Sequence, residues 1–143
     1  VAIVKVGANS KVELKEKKDR VEDAIFATKA ALKEGIVPGG GIALLNAAQK
    51  IKSSNIGEKI ILKAIQEPHK VILDNAGLPT THSHAREGTG VNVITGMYVN
   101  MVKEGIIDPV LVTKSALKNA VSVASTIISA DCILSNVRLD ESN

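Results

Sequence analysis

Three groups of residues in this 143-residue chain have types and spacings that could do chemistry. The first is Gly35-Ile36-Val37-Pro38-Gly39-Gly40-Gly41. Pro38 holds the backbone extended, and the three glycines let it pass very close to another group. A glycine run that opens a helix presents free N–H groups at a positive dipole end, which suits a phosphate. The same composition also serves as a plain turn between two helices. The second group is a pair of carboxylates, Asp23 and Asp108. The third is Thr81-His82-Ser83-His84, where alternation puts both imidazoles on one side of an extended segment. With no cysteine nearby and only Glu87 as a further ligand, it reads as a surface loop rather than a metal site. Cys132, between Asp131 and Ile133, has no cation beside it to favour the thiolate and reads as a packing residue. No nucleophile–base pair and no Walker-type lysine motif accompany these groups. What remains would suit a nucleotide: backbone N–H for phosphate, one carboxylate for a ribose hydroxyl, another to orient a water. Spacing alone does not show that they converge.

The elements that must position them follow from periodicity. Residues 2–6 form a β-branched run ending at Gly7 and read as a short strand; residues 10–16, alternating Val12 and Leu14 against charges, read as a weaker one. Residues 17–34 read as a helix with Val21, Ala24, Ile25, Thr28, Ala31 and Leu32 on its apolar face, closed by Gly35. Asp23 falls nearly opposite that stripe, where a solvated carboxylate is the default. Phe26, Ala27 and Ala30 share its side, so that side is not uniformly polar. A second helix spans residues 40–52, and a third spans 56–75 with Pro68 set to kink or divide it. Residues 91–94 read as a short strand and 98–103 as a short helix or turn. Asp108 is placed as an N-cap with Pro109 at the first position of a last helix running to about residue 130. Residues 132–137 read as a final strand. The expected class is mainly α with short β-strands.

Composition narrows the partners. Net charge is +3, and the densest basic run, residues 11–20, is diluted by Glu13, Glu16 and Asp19, so it reads as a solvated face. With one Phe, one Tyr and no Trp, the chain lacks platforms for stacking single-stranded nucleic acid, and its core must come from Ile, Val, Leu and Ala. A single cysteine excludes an internal disulfide and fits a reducing compartment. No signal peptide and no membrane-length apolar run are expected. The chain begins with Val, and the expectation is that it is a piece of a longer protein.

Four ordered segments carry a resemblance. Val1-Ala-Ile-Val-Lys-Val-Gly7, Glu16-Lys-Lys-Asp-Arg-Val-Glu-Asp-Ala24, Glu34-Gly-Ile-Val-Pro-Gly-Gly-Gly41 and Gly105-Ile-Ile-Asp-Pro109 closely resemble the C-terminal part of the group I chaperonins. These are the bacterial and mitochondrial-type double-ring folding machines, and the resemblance extends to about Val137. It implies that residues 1–34 are the C-terminal part of the intermediate, or hinge, domain. It implies that residues 35–143 are the second half of the equatorial domain, a helical bundle that binds ATP and forms ring contacts. Asp23 matches the aspartate that swings over the nucleotide and orients the hydrolytic water. Gly40, within Gly39, Gly40 and Gly41, matches a backbone contact to ATP or ADP. Asn92, Val93 and Ile94 match the segment beside the adenine, Ile106 packs near the base, and Asp108 matches the ribose ligand. Where the family usually has Gly-Tyr-Asn-Ala, this chain has Gly90-Val-Asn-Val-Ile94.

The resemblance implies a chaperone active in protein folding and the stress response. It would be cytoplasmic, or in the mitochondrial matrix or a plastid in a eukaryote. Its partners would be ring subunits of its own kind, with unfolded clients and a co-chaperonin held by parts outside this sequence. The phosphate loop and the aspartate that binds Mg²⁺ also belong to those parts, so these residues alone are expected not to hydrolyse ATP. The other reading is a stand-alone helical self-association module with no nucleotide role.

Overall fold

The computed structural model describes residues 2–80, 86–132 and 134. In chain order the elements are α1 (Lys11–Glu34), β1 (Ile36–Pro38), α2 (Ile42–Lys50), α3 (Ile56–Ala64), α4 (Glu67–Asn75), β2 (Thr89–Asn92), β3 (Met97–Asn100), β4 (Ile107–Pro109) and α5 (Val110–Ile128). The architecture is mainly α with two small antiparallel sheets, β1–β4 and β2–β3. The loop histidines and most of the expected C-terminal strand, residues 132–137, lie outside the described residues; Cys132 and Leu134 are not in a strand.

The N-terminal region departs from expectation twice. Residues 2–6 are not in a strand, because no described strand pairs with them to complete a ladder. Residues 11–16 are helical. Ser10 is the N-cap of α1: its hydroxyl accepts the Glu13 N–H at 3.2 Å, and the Glu13 carboxylate accepts the Asn9 N–H at 3.1 Å. Ser10-x-x-Glu13 thus acts as a variant of the capping box, with the return bond taken from Asn9 rather than from the cap residue, and it outweighs the alternation of Val12 and Leu14. At the other end Gly35 (φ 83°) sends its N–H to the Ala31 carbonyl at 2.8 Å, as a helix-ending glycine should.

The inward face of α1 is only partly the expected one: Val21 and Ala31 belong to the expected stripe, Ala27 and Ala30 do not. Leu32 is 83% exposed, while Val21, Ala27, Ala30 and Ala31 are partly buried. Helix α1 touches β4 and α5. Small residues let the helices approach, which suits the partly buried alanines better than Leu32.

Pro68 divides the middle helix as expected. Helix α3 ends at Ala64, and Pro68 sits in the first turn of α4, where its missing N–H costs nothing. Of the helix or turn expected over 98–103, residues 101–103 are in a turn, while residues 97–100 form β3; β2 pairs with it through Asn92↔Met97 and Thr89↔Asn100, the turn between them closed by Gly96 at φ 70°. The enclosed core is small: Ile42, Leu45 and Met101 form one cluster, with Val99 and Ile106 packed on it. No side chain of α5 is buried.

Candidate functional site

The short sheet β1–β4 is the joint of the molecule. Val37 pairs with Asp108, and the Gly39 N–H donates to the Ile106 carbonyl at 2.9 Å. Asp108 is therefore a strand residue. Pairing keeps the backbone extended through Pro109, which is itself the N-cap of α5, so the expected N-cap role of Asp108 is not realised. On the far side of the joint Glu34 forms an ion pair with Lys114 at 2.7 Å, and the Val110 N–H donates to the Gly35 carbonyl. Helices α1 and α5 leave this joint together.

The glycine turn follows β1 directly. Gly40 (φ 64°) and Gly41 (φ 76°) both occupy the left-handed region, and a Cβ on Gly41 would lie 2.8 Å from the His69 backbone nitrogen. Only glycine satisfies both demands at position 41. Gly39 is buried against Ile106 and Ile107. Helix α2 starts at Ile42 with no side-chain cap, which leaves backbone donors of its first turn free.

A groove of about 900 Å³ runs from this turn between α2, α3 and α4 on one side and α5 on the other. Its walls are almost wholly aliphatic: Leu44, Ile60, Ile61 and Ile72 face Val112, Leu117, Val121 and Ile128. At the end where α5 begins, Gly40, Gly41 and Asp108 line it together. The Asp108 carboxylate makes no hydrogen bond or ion pair among the described residues, and burial raises it above its ordinary value. An unpartnered carboxylate next to free backbone donors, at one end of an apolar groove, can hold a ligand that has hydroxyls and an anionic end.

The remaining sequence-derived positions lie elsewhere. Asp23 is exposed on α1, 11 residues before Glu34 and so ~16 Å up the helix from the joint. It shares a helix face with Ala27, Ala30 and Glu34, the face whose last member pairs with α5. It does not line the groove. Asn92 ends β2, where its side-chain carbonyl accepts the Ile94 N–H at 3.0 Å and its backbone carbonyl accepts from Gly96. Val93 and Ile94 form the exposed tip of that hairpin, Ile94 at 92%. Ile106 is packed on the Ile42–Leu45–Met101 cluster. Thus the structure brings together Gly40, Gly41 and Asp108, with Gly39 and Ile106 behind them, and leaves Asp23 and the 92–94 turn apart. His69, which encloses the back of the turn, had no sequence signal beyond a single imidazole in an aliphatic run.

Comparison with known proteins adds independent findings. A model of the TCP-1/cpn60 chaperonin family matches residues 1–138. Among solved structures, a group III chaperonin in the open state superimposes with a TM-score of 0.77 at 24% identity. That match covers 90% of this chain and 30% of the other.

Proposed function

The chain belongs to the TCP-1/cpn60 chaperonin family, and from that premise we propose that it supplies one wall of an ATP site and part of the ring-forming surface of an ATP-dependent protein-folding machine. Its detailed motifs favour the group I, double-ring kind. Residues 1–34 serve as the hinge segment and residues 35–143 as half of the ATP-binding domain. The chain spans about a third of the length of the solved chaperonin it matches, so clients and co-chaperonin belong to other parts of such a protein.

The single observation that carries this reading is the convergence of Gly40, Gly41 and the unpartnered Asp108 at one end of the groove. The residues fit a nucleotide: the carboxylate of Asp108 can accept from ribose hydroxyls, and the N–H groups of the glycine turn can donate to phosphate oxygens. ATP, when bound, supplies a phosphoanhydride whose hydrolysis can time a conformational cycle. Asp23 orients the attacking water only once α1 has moved, because in this structure it stands outside the groove. The joint suits such movement: α1 is held at its C-terminal end by the Glu34–Lys114 pair and the β1–β4 sheet, while residues 11–20 are exposed throughout. The adenine assignment of Asn92, Val93, Ile94 and Ile106 rests on the resemblance alone. Mg²⁺ would be held mainly by residues outside this sequence.

The test is an NMR titration of the ¹⁵N-labelled chain with Mg-ADP. Shifts at Gly40, Gly41 and Asp108 that saturate support the site; uniform indifference, with an unchanged melting temperature in Mg-ATP, would instead favour a self-associating helical module. The open aliphatic groove is the observation on that second side.

A further inference from the structure

His69 is the most enclosed polar side chain among the described residues, at 2% exposure, and no role assigned so far uses it. It lies in the first turn of α4, directly after Pro68. Its Nδ1 is 2.8 Å from the Gly40 carbonyl oxygen. A carbonyl only accepts, so Nδ1 carries a proton and donates. Nε2 is buried and has no partner among the described residues, so the contact to Gly40 is the ring's only polar anchor there.

The consequence lies in the peptide bond that follows Gly40. It is trans and planar, so its C=O and N–H point in opposite directions. An imidazole that holds the Gly40 carbonyl toward α4 therefore holds the Gly41 N–H away from α4. That N–H makes no hydrogen bond among the described residues, and both glycines line the groove. A peptide between two glycines has little steric resistance to rotation, so some outside contact must fix its plane. The close approach of Gly41 to the His69 backbone limits the turn from the same side.

We propose that His69 is a positioning residue for the nucleotide site. By locking the Gly40–Gly41 peptide it keeps the Gly41 N–H available to a phosphate oxygen. The proposal rests on the nucleotide reading above, and its test separates the two. Wild-type chain, His69→Leu and His69→Asn are titrated with Mg-ADP and with adenosine and followed by ¹⁵N NMR. Asn places an amide donor where Nδ1 stood; Leu fills the space without one.

The expected result is that His69→Leu weakens Mg-ADP by roughly 3- to 10-fold, the value of one hydrogen bond, and adenosine by less than about 2-fold. His69→Asn recovers most of the Mg-ADP affinity. A Leu variant that keeps its helical circular dichroism and binds Mg-ADP like wild type overturns the role, as does equal loss of both ligands. Wild-type chain blind to Mg-ADP sinks the nucleotide reading and this role with it. Should His69→Leu not fold, the ¹⁵N shifts of the wild-type imidazole decide: an unprotonated Nδ1 overturns the proposal outright.

Discussion

At the scale of single residues, Asp108 shows what a groove carboxylate costs the fold. Burial raises its carboxyl above its ordinary value, so the folded chain disfavours the charged form more than the unfolded chain does. The stabilising contribution is therefore complete below the ordinary value and is lost as pH rises through the raised one. Asp108→Asn keeps the shape and never ionises. It should leave stability at pH 3 unchanged and raise it modestly at pH 7, since the side chain is only partly buried. Urea denaturation at the two pH values checks this, and an equal effect at both would contradict it. The same change should weaken Mg-ADP, since the ribose loses a charged acceptor. Gly41 gives a second test. Gly41→Ala meets both a positive φ and the His69 backbone at 2.8 Å, whereas Gly77→Ala meets a positive φ of 67° in open space. The first should cost about 2–4 kcal/mol and the second about 1 kcal/mol. Equal losses would mean that the close approach to α4 contributes nothing.

At the scale of elements, α1 shows what the sequence makes legible and what it hides. Its C-terminal stop at Gly35 was readable because one glycine served both the helix and the turn. Its start was not, because Val12 and Leu14 alternate with charges like a strand; the decisive signal, Ser10-x-x-Glu13, is a local hydrogen-bond pair rather than a hydrophobic period. Its inward face was misjudged in part, for a different reason. Periodicity weights large aliphatics, but three of the four partly buried residues of α1 are alanines, and Leu32 is left in solvent. The site was legible in part on similar grounds. A glycine run announces a close approach, and Asp108, singled out as a candidate from the sequence, lies on the groove with its backbone in β4 rather than at an N-cap. His69 was invisible because its meaning depends on Gly40, 29 residues away. The cap makes a prediction of its own. Ser10→Ala should speed amide exchange in the first turn of α1 by a factor reflecting about 1 kcal/mol. The global melting temperature should scarcely move, because residues 11–20 have no buried contacts to lose. A large drop in melting temperature would show that the start of α1 is packed.

At the scale of the whole molecule, exposure is the dominant fact. The chain has a mass of 15.0 kDa and presents 11452 Å² of accessible surface, whereas a compact monomer of that mass presents about 7000 Å². Large aliphatic side chains are among those exposed: Ile60, at 64%, and Ile128, at 84%, are both on the groove walls. Aliphatic walls of this extent are covered in stable proteins, either by another segment or by another copy. The purified chain should therefore self-associate, with a mass by light scattering that rises with concentration. Replacing Ile60 and Ile128 together by Gln should shift it toward the monomer without altering net charge, and at little cost in monomer stability since both side chains are already mostly in water. Leu32→Gln is the control: Leu32 is equally exposed but lies on α1 and does not line the groove. If the control dissociates the chain as effectively as the groove pair, the association surface is α1 rather than the groove. If only the groove pair acts, the groove is the face that this fold presents for covering, and Mg-ADP should compete with association in proportion to how far the partner reaches toward Gly40 and Asp108.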